Sequence, residues 1–208
     1  MLTSAISSAC ATLPGARDSQ ALLQTTMKEW GGDRDLWVFG YASLIWRPDF
    51  HAVESRLARI HGWHRCLKLF SRVNRGTPEE PGLVCALMQG GACRGMVYRI
   101  PAHEAHAEFP RLWAREMPTG MYDPRWLSCR TSEGLVQALG FTLARRSPGY
   151  CGELSDAQVR HILANSHGRY GSTLEYLLRT HEALLEKGIK DREIERLVAL
   201  ARQEGLVQ

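Results

Sequence analysis

The stretch LVCALMQGGACRGMVYRI, residues 83–100, decides how this chain is read. Leu83 to Met88 and Arg94 to Ile100 are short apolar runs with Gly90-Gly91 between them, which predicts two strands joined by a tight turn. Working outward, Cys66, Leu67, Leu69, Phe70 and Val73 suggest a preceding strand, and Arg75-Gly76-Thr77-Pro78 with Pro81-Gly82 turns the chain. Trp126 to Arg130 and Leu135 to Leu143 flank a further turn at Glu133-Gly134, and Leu36 to Tyr41 reads as a buried strand.

Helices surround this strand-rich centre. Asp18 and Ser19 can cap a short helix carrying Leu22, Leu23, Met27 and Trp30, which Gly31-Gly32 ends. Ala102 to Met117 is helical in pattern, and Pro110 is expected to open a second, shorter helix there. Past residue 150 the period changes. Ser155 with Gln158 forms a capping-box signature, Leu174, Leu177, Leu178, Leu184 and Leu185 recur at helical spacing, and Asp191 to Arg202 adds a last helix. The fold class is therefore α+β, with a barrel-like sheet and a C-terminal helical segment. Residues 1–17 read as a loose arm and 18–208 as a single domain.

Composition narrows the function classes. Of 208 residues, 44% are hydrophobic and 23% charged, so the chain can bury a core and does not read as disordered. The net charge of +4 is mild and no Lys/Arg run marks a nucleic-acid surface, so no nucleic-acid partner is expected. The cysteines at positions 10, 66, 85, 93, 129 and 151 contain no CxxC pair, which gives no support to a zinc site or a redox dithiol. Neither a signal peptide nor a membrane span is evident, and the reading is of a protein in a reducing cytoplasm.

Two segments could carry chemistry. In Phe39-Gly40-Tyr41-Ala42-Ser43-Leu44-Ile45-Trp46 a buried strand runs into small residues, a join that exposes successive backbone N–H groups to an anion. In Leu112-Trp113-Ala114-Arg115-Glu116-Met117, Glu116 borders the apolar side of a helix in its last turn. Burial and the helix terminus both disfavour its charge, so its pKa is expected to rise, as suits a proton-transfer group. From the local sequence alone, a solvent-facing Glu or an ion pair with a nearby Arg is the favoured reading. His103 and His106 are three apart on the helix, but no third metal ligand accompanies them.

Taken in order, Phe-Gly-Tyr-x-Ser-Leu-Ile-Trp-x-Pro-x-Phe (39–50), Asn-Arg-Gly-Thr-Pro-x-x-Pro-Gly (74–82), Arg-Glu-Met (115–117), Gly-Tyr-x-Gly (149–152) and Gly-Ser-Thr-x-Glu-Tyr-Leu (171–177) resemble the ChaC-type γ-glutamylcyclotransferases. The resemblance implies a small mixed β-barrel with surrounding helices. It also implies an enzyme that acts on glutathione, yields 5-oxoproline and cysteinylglycine, and needs no metal or organic cofactor. By that resemblance Glu116 matches the catalytic glutamate. Tyr41, Ala42, Ser43 and Leu44 match the loop that holds the γ-glutamyl group, and Arg75, Tyr150 and Tyr176 match positions that line the pocket. Other γ-glutamyl amines or dipeptides, or binding without turnover, remain alternatives. Ala42 stands where the family usually has Gly: a positive φ would strain it by roughly 1 kcal/mol, whereas a negative φ would only narrow the cradle. Ser172 stands where Asn is frequent.

Overall fold

The structure is a computed structural model that describes residues 17–207, so nearly all of the expected arm lies outside the described residues. Arg17 itself is tied down: its Nε donates to Gly120 O at 2.7 Å and its Nη1 to Asp123 at 2.6 Å. The first helix, α1 (Ser19–Trp30), starts where Asp18 accepts the N–H groups of Gln20 and Ala21, and stops at Gly31, whose φ is +87°.

Five strands close a barrel. They are β1 (Leu36–Gly40), β2 (Glu54–Ser71), β3 (Gly82–Ile100), β4 (Asp123–Thr131) and β5 (Gly134–Thr142), in the order β1-β3-β2-β4-β5, with β5 lying parallel to β1. The segment 83–100 is not the expected hairpin. It is one continuous strand, antiparallel to β2 along its whole length. The register steps from His61↔Ala92 to Trp63↔Gln89, so Gly90 and Gly91 together oppose Gly62, and all three have positive φ. This is a bulge that bends both strands instead of ending them. The bend lets Met96–Ile100 pair with β1 while Leu87 reaches Thr142 of β5. The true hairpin connection is residues 72–81, the loop that holds Arg75.

Helix α2 (Ser43–Trp46) follows β1, and α3 (Ala102–Glu116) follows β3. Pro110 lies inside α3 and does not divide it. It deprives only the His106 carbonyl of its partner, and both residues are on the exposed side, where water can serve that oxygen. Phe109, Leu112 and Trp113 occupy the opposite side and pack with Trp30 of α1 and Leu139 and Phe141 of β5. Each such side chain contributes about 1.5–3 kcal/mol on burial, enough to hold a helix that proline weakens.

Helix α4 (Asp156–Asn165) carries the expected capping box of Ser155 and Gln158. The short strands β6 (His167–Gly168) and β7 (Gly171–Ser172) then lead into α5 (Thr173–Glu186), itself opened by a Ser172–Glu175 capping box, and α6 (Arg192–Gln203) ends the fold. Leu177 and Leu184 of α5 and Ile194, Leu197 and Val198 of α6 join Phe39, Leu83, Leu87 and Val97 of the barrel in one core. The cysteines at 66, 85, 93, 129 and 151 are free thiols, and burial pushes Cys85 up to about 12 and Cys93 to about 11. Among the described residues no helix is long and apolar enough to cross a membrane.

Candidate active site

A cavity of about 440 Å³ opens where β1 meets α2, within the range usual for small-molecule sites. Its wall includes Tyr41 to Leu44, the 72–75 loop, the end of α3 at Glu116, and Tyr176 of α5.

The cradle comes first. A residue larger than Gly40 would meet the Tyr98 ring at 2.9 Å and Leu44 at 3.0 Å, so glycine lets the chain fold straight back into α2. The opening N–H groups of a helix have no acceptor within it. In α2, Ile45 N–H is the first to turn back, to Ala42 O at 2.8 Å, which leaves the amides of Ser43 and Leu44 unspent at the wall. Ala42 has φ −148°, so the position makes no left-handed demand and alanine fits it; the methyl only narrows the cradle. From behind, the carbonyl of Tyr41 accepts Nε of Arg65. That guanidinium is fully buried, donates also to Arg94 O at 2.5 Å, and pairs with Asp191 at the N-cap of α6.

Glu116 is the last residue of α3, with 14% of its side chain exposed. Burial raises its pKa above the ordinary 4.5, and the Arg115 guanidinium, whose Nε stands 2.9 Å from Oε1, opposes the rise without cancelling it. Glu116 is therefore not solvent-facing, and the other two sequence readings hold together: it is an ion-paired carboxyl and one whose pKa is raised. Arg115 also reaches Asp49 at 2.9 Å and donates to Ser43 Oγ at 3.3 Å, so one guanidinium ties the acid to the cradle.

Arg75 is 6% exposed, yet no carboxylate among the described residues pairs with it. Its Nη1 donates to the Tyr170 carbonyl, and its guanidinium lies 5.4 Å from the centre of the Tyr176 ring. Burial lowers its pKa, and the Glu175 carboxylate, too far to pair with it, opposes that shift without cancelling it. Across the cavity wall six arginines (47, 72, 75, 111, 115 and 169) face two carboxylates, Asp49 and Glu116. The site suits an anion.

Tyr176 is 5% exposed, and its hydroxyl accepts the Cys85 N–H at 3.2 Å. Tyr150 lies elsewhere. Gly149 reaches the cavity because Phe70 N–H binds its carbonyl at 2.9 Å, but Tyr150 is not among the lining residues. Its hydroxyl donates to Glu153 at 2.7 Å, which turns the ring toward the surface. His103 and His106 are exposed on α3, with His106 against Gly32 O. Sequence reasoning missed Arg65 and Asp191, and foresaw Arg115 only as an unspecified neighbouring cation for Glu116. The Arg65–Asp191 pair spans 126 residues and carries no local signal.

The chain matches the family described as ChaC-like protein over residues 36–204. It is 33% identical to the glutathione-specific γ-glutamylcyclotransferase of Escherichia coli K12 over 177 residues, 85% of this chain and 77% of that one. It is 30% identical to the human glutathione-specific γ-glutamylcyclotransferase 1 over 154 residues, 72% and 69% of the two chains. In fold it resembles a yeast γ-glutamyl cyclotransferase specific to glutathione, with a TM-score of 0.74 at 22% identity, covering 82% of this chain and 97% of that one. With the profile of that family running through the barrel, the cradle, Glu116 and the C-terminal helices alike, this chain belongs to the ChaC-like protein family.

Proposed function

We propose that this protein is a glutathione-specific γ-glutamylcyclotransferase. The observation that carries the reading is Glu116: a mostly buried carboxyl, raised in pKa, on the same cavity wall as the unspent amides of Ser43 and Leu44. The named activities of the E. coli and human relatives support the choice of glutathione.

The chemistry follows from what the wall offers. Glutathione carries two carboxylates and an ammonium, a net anion suited to a cavity rich in arginine. The amides of Ser43 and Leu44 hold its α-carboxylate, bending the glutamyl chain until the α-nitrogen and the γ-carbonyl carbon lie within ~3–3.5 Å. That nitrogen is mostly an ammonium near neutral pH and cannot attack its own carbonyl. Glu116 as carboxylate removes one ammonium proton, the freed lone pair closes the five-membered ring, and the protonated Glu116 hands that proton to the departing amide nitrogen; the second proton of the ring nitrogen follows and leaves cysteinylglycine as an ammonium. A raised pKa suits both halves of that exchange. Enzyme nucleophile and water are both unnecessary, and products are 5-oxoproline and cysteinylglycine. Arg75, unpaired and beside Tyr176, is placed to neutralise a substrate carboxylate.

The test is to incubate the purified protein separately with glutathione and with a γ-glutamyl dipeptide, and to quantify 5-oxoproline by mass spectrometry. Preferential formation of 5-oxoproline and cysteinylglycine from glutathione supports the proposal. Equal or greater turnover of the dipeptide replaces the substrate, and no turnover of either overturns the reading.

A further inference from the structure

Between Leu83 and Leu87 the barrel wall has a gap, and the way it is filled exposes one proton. Leu87 O is met in the ordinary way, by Leu143 N–H at 2.8 Å. Toward the start of β3 no strand lies alongside on that edge, and side chains take over the ladder. Leu83 N–H donates to Thr173 Oγ1 at 2.9 Å, Cys85 N–H donates to Tyr176 Oη at 3.2 Å, and Cys85 O accepts Tyr122 Oη at 2.8 Å.

A phenol has one proton to give. Three tyrosine hydroxyls are buried at this wall, and their protons can be assigned one by one. Tyr41 donates to Phe141 O at 3.1 Å and Tyr122 donates to Cys85 O. In its bonds to oxygen and nitrogen Tyr176 only accepts. Among the described residues no oxygen or nitrogen takes its proton, and the group alongside is the Cys85 thiol, a weak acceptor. We infer that Tyr176 is a further catalytic residue, whose O–H donates a hydrogen bond to the γ-carbonyl oxygen as negative charge builds on it.

The inference rests on the cyclotransferase reading and supplies what that mechanism still lacks. Glu116 handles the proton on nitrogen and the cradle amides hold the carboxylate. As the α-nitrogen bonds to the γ-carbonyl carbon, the carbonyl π pair moves onto oxygen; when the C–N bond to the leaving amine breaks, that pair re-forms C=O. Tyr176 stabilises the oxygen through both steps and keeps its proton. The ring is held for this: Arg75 lies over it, Trp46 meets it edge-on with centroids 6.2 Å apart, and Cys85 N–H fixes the hydroxyl. Such a donor needs no reorganisation during the reaction. Accepting an N–H also polarises the hydroxyl and strengthens it as a donor. Burial raises its pKa well above the ordinary 10, so the proton is present throughout the neutral range.

The test uses Tyr176→Phe in the full-length protein, with kcat for glutathione measured in the otherwise wild-type enzyme and Kd measured in the Glu116→Gln background. The expected result is a fall in kcat of about 10²-fold with Kd changed less than about threefold, since the bond forms in the transition state. A kcat near wild type overturns the inference, and so does a loss expressed in Kd alone. The Phe variant leaves Cys85 N–H without its acceptor, so a second variant carries a ring-fluorinated tyrosine at 176, which keeps the oxygen but ionises at lower pH. The alkaline limb of kcat then moves to lower pH, and an unmoved limb refutes the role. Absence of 5-oxoproline from the wild-type enzyme would instead indict the substrate reading.

Discussion

Asp191→Asn isolates the buried ion pair that, among the described residues, joins the cradle to the C-terminal helices. Asparagine is as good an N-cap as aspartate, so the bond from Ile194 N–H, 3.2 Å in the structure, survives the change. What is lost is the negative charge facing Arg65, whose side chain has no exposure at all, while that of Asp191 has 18%. Removing one partner of a buried pair costs about 3–5 kcal/mol because the other charge is left unpaired. Arg65 keeps the carbonyls of Tyr41 and Arg94, which places the cost at the low end, about 3 kcal/mol. For a chain of this size that lowers Tm by roughly 6–12 °C. The assay is urea unfolding of wild type, Asp191→Asn, Arg65→Met and the double variant, analysed as a cycle. A coupling energy of about 2 kcal/mol or more is expected, with the double variant recovering part of the stability lost by Asp191→Asn. Because Arg65→Met also releases the Tyr41 carbonyl, it is expected to raise KM for glutathione. A coupling below about 0.5 kcal/mol, the additivity error of distant sites, would refute the reasoning.

Other outcomes follow from the same geometry. Glu116 has its folded pKa raised above the unfolded 4.5, so it binds protons more readily when folded and detracts from stability as pH rises through that interval. Glu116→Gln is therefore expected to be more stable than wild type at pH 7, with the difference closing below about pH 4.5 in paired denaturant curves. Arg75→Ala should chiefly weaken binding, seen as a KM increase of about tenfold or more with a smaller change in kcat, because a charge-assisted bond to the substrate is lost; an unchanged KM would leave Arg75 a structural filler. Tyr150→Phe, remote from the cavity wall, is expected to leave kcat/KM within about twofold, the scale of a surface change. KM for glutathione should rise with ionic strength as salt screens the arginine-rich wall, and a flat salt titration would argue against it.

Features governed by neighbouring residues were legible before the structure. Asp18 and Gly31 bound α1, Ser155 and Gln158 open α4, and the turn at Ser132-Glu133, just before Gly134, separates β4 from β5, each through a local rule of capping or turn formation. The same capping signature was present at Ser172 and Glu175 and went unread. The site was legible as an ordered set of motifs, and its electrostatics in part: Glu116 is held as the apolar helix side implied. Long-range pairing was not legible. Gly90-Gly91 reads as a turn in isolation and becomes a bulge only because Gly62, far back in the chain, faces it. In the first half of β2 only Ala58 and Ile60 are buried, while Leu57 is exposed on the same face as Arg59 and His61 and Arg56 lies half-buried on the other, so the strand character hides among charges. Tyr150 shows the limit of matching positions: its peptide neighbour lines the cavity, while its own hydroxyl is captured by Glu153.

Turnover of glutathione by purified Glu116→Gln, with folding checked by circular dichroism, bears most directly on the role given to this carboxyl. Gln keeps the shape and cannot carry a proton, so 5-oxoproline formation is expected to fall by roughly 10²-fold or more while the spectrum stays that of the wild type. A folded Gln variant that releases 5-oxoproline at a rate close to wild type would contradict the account.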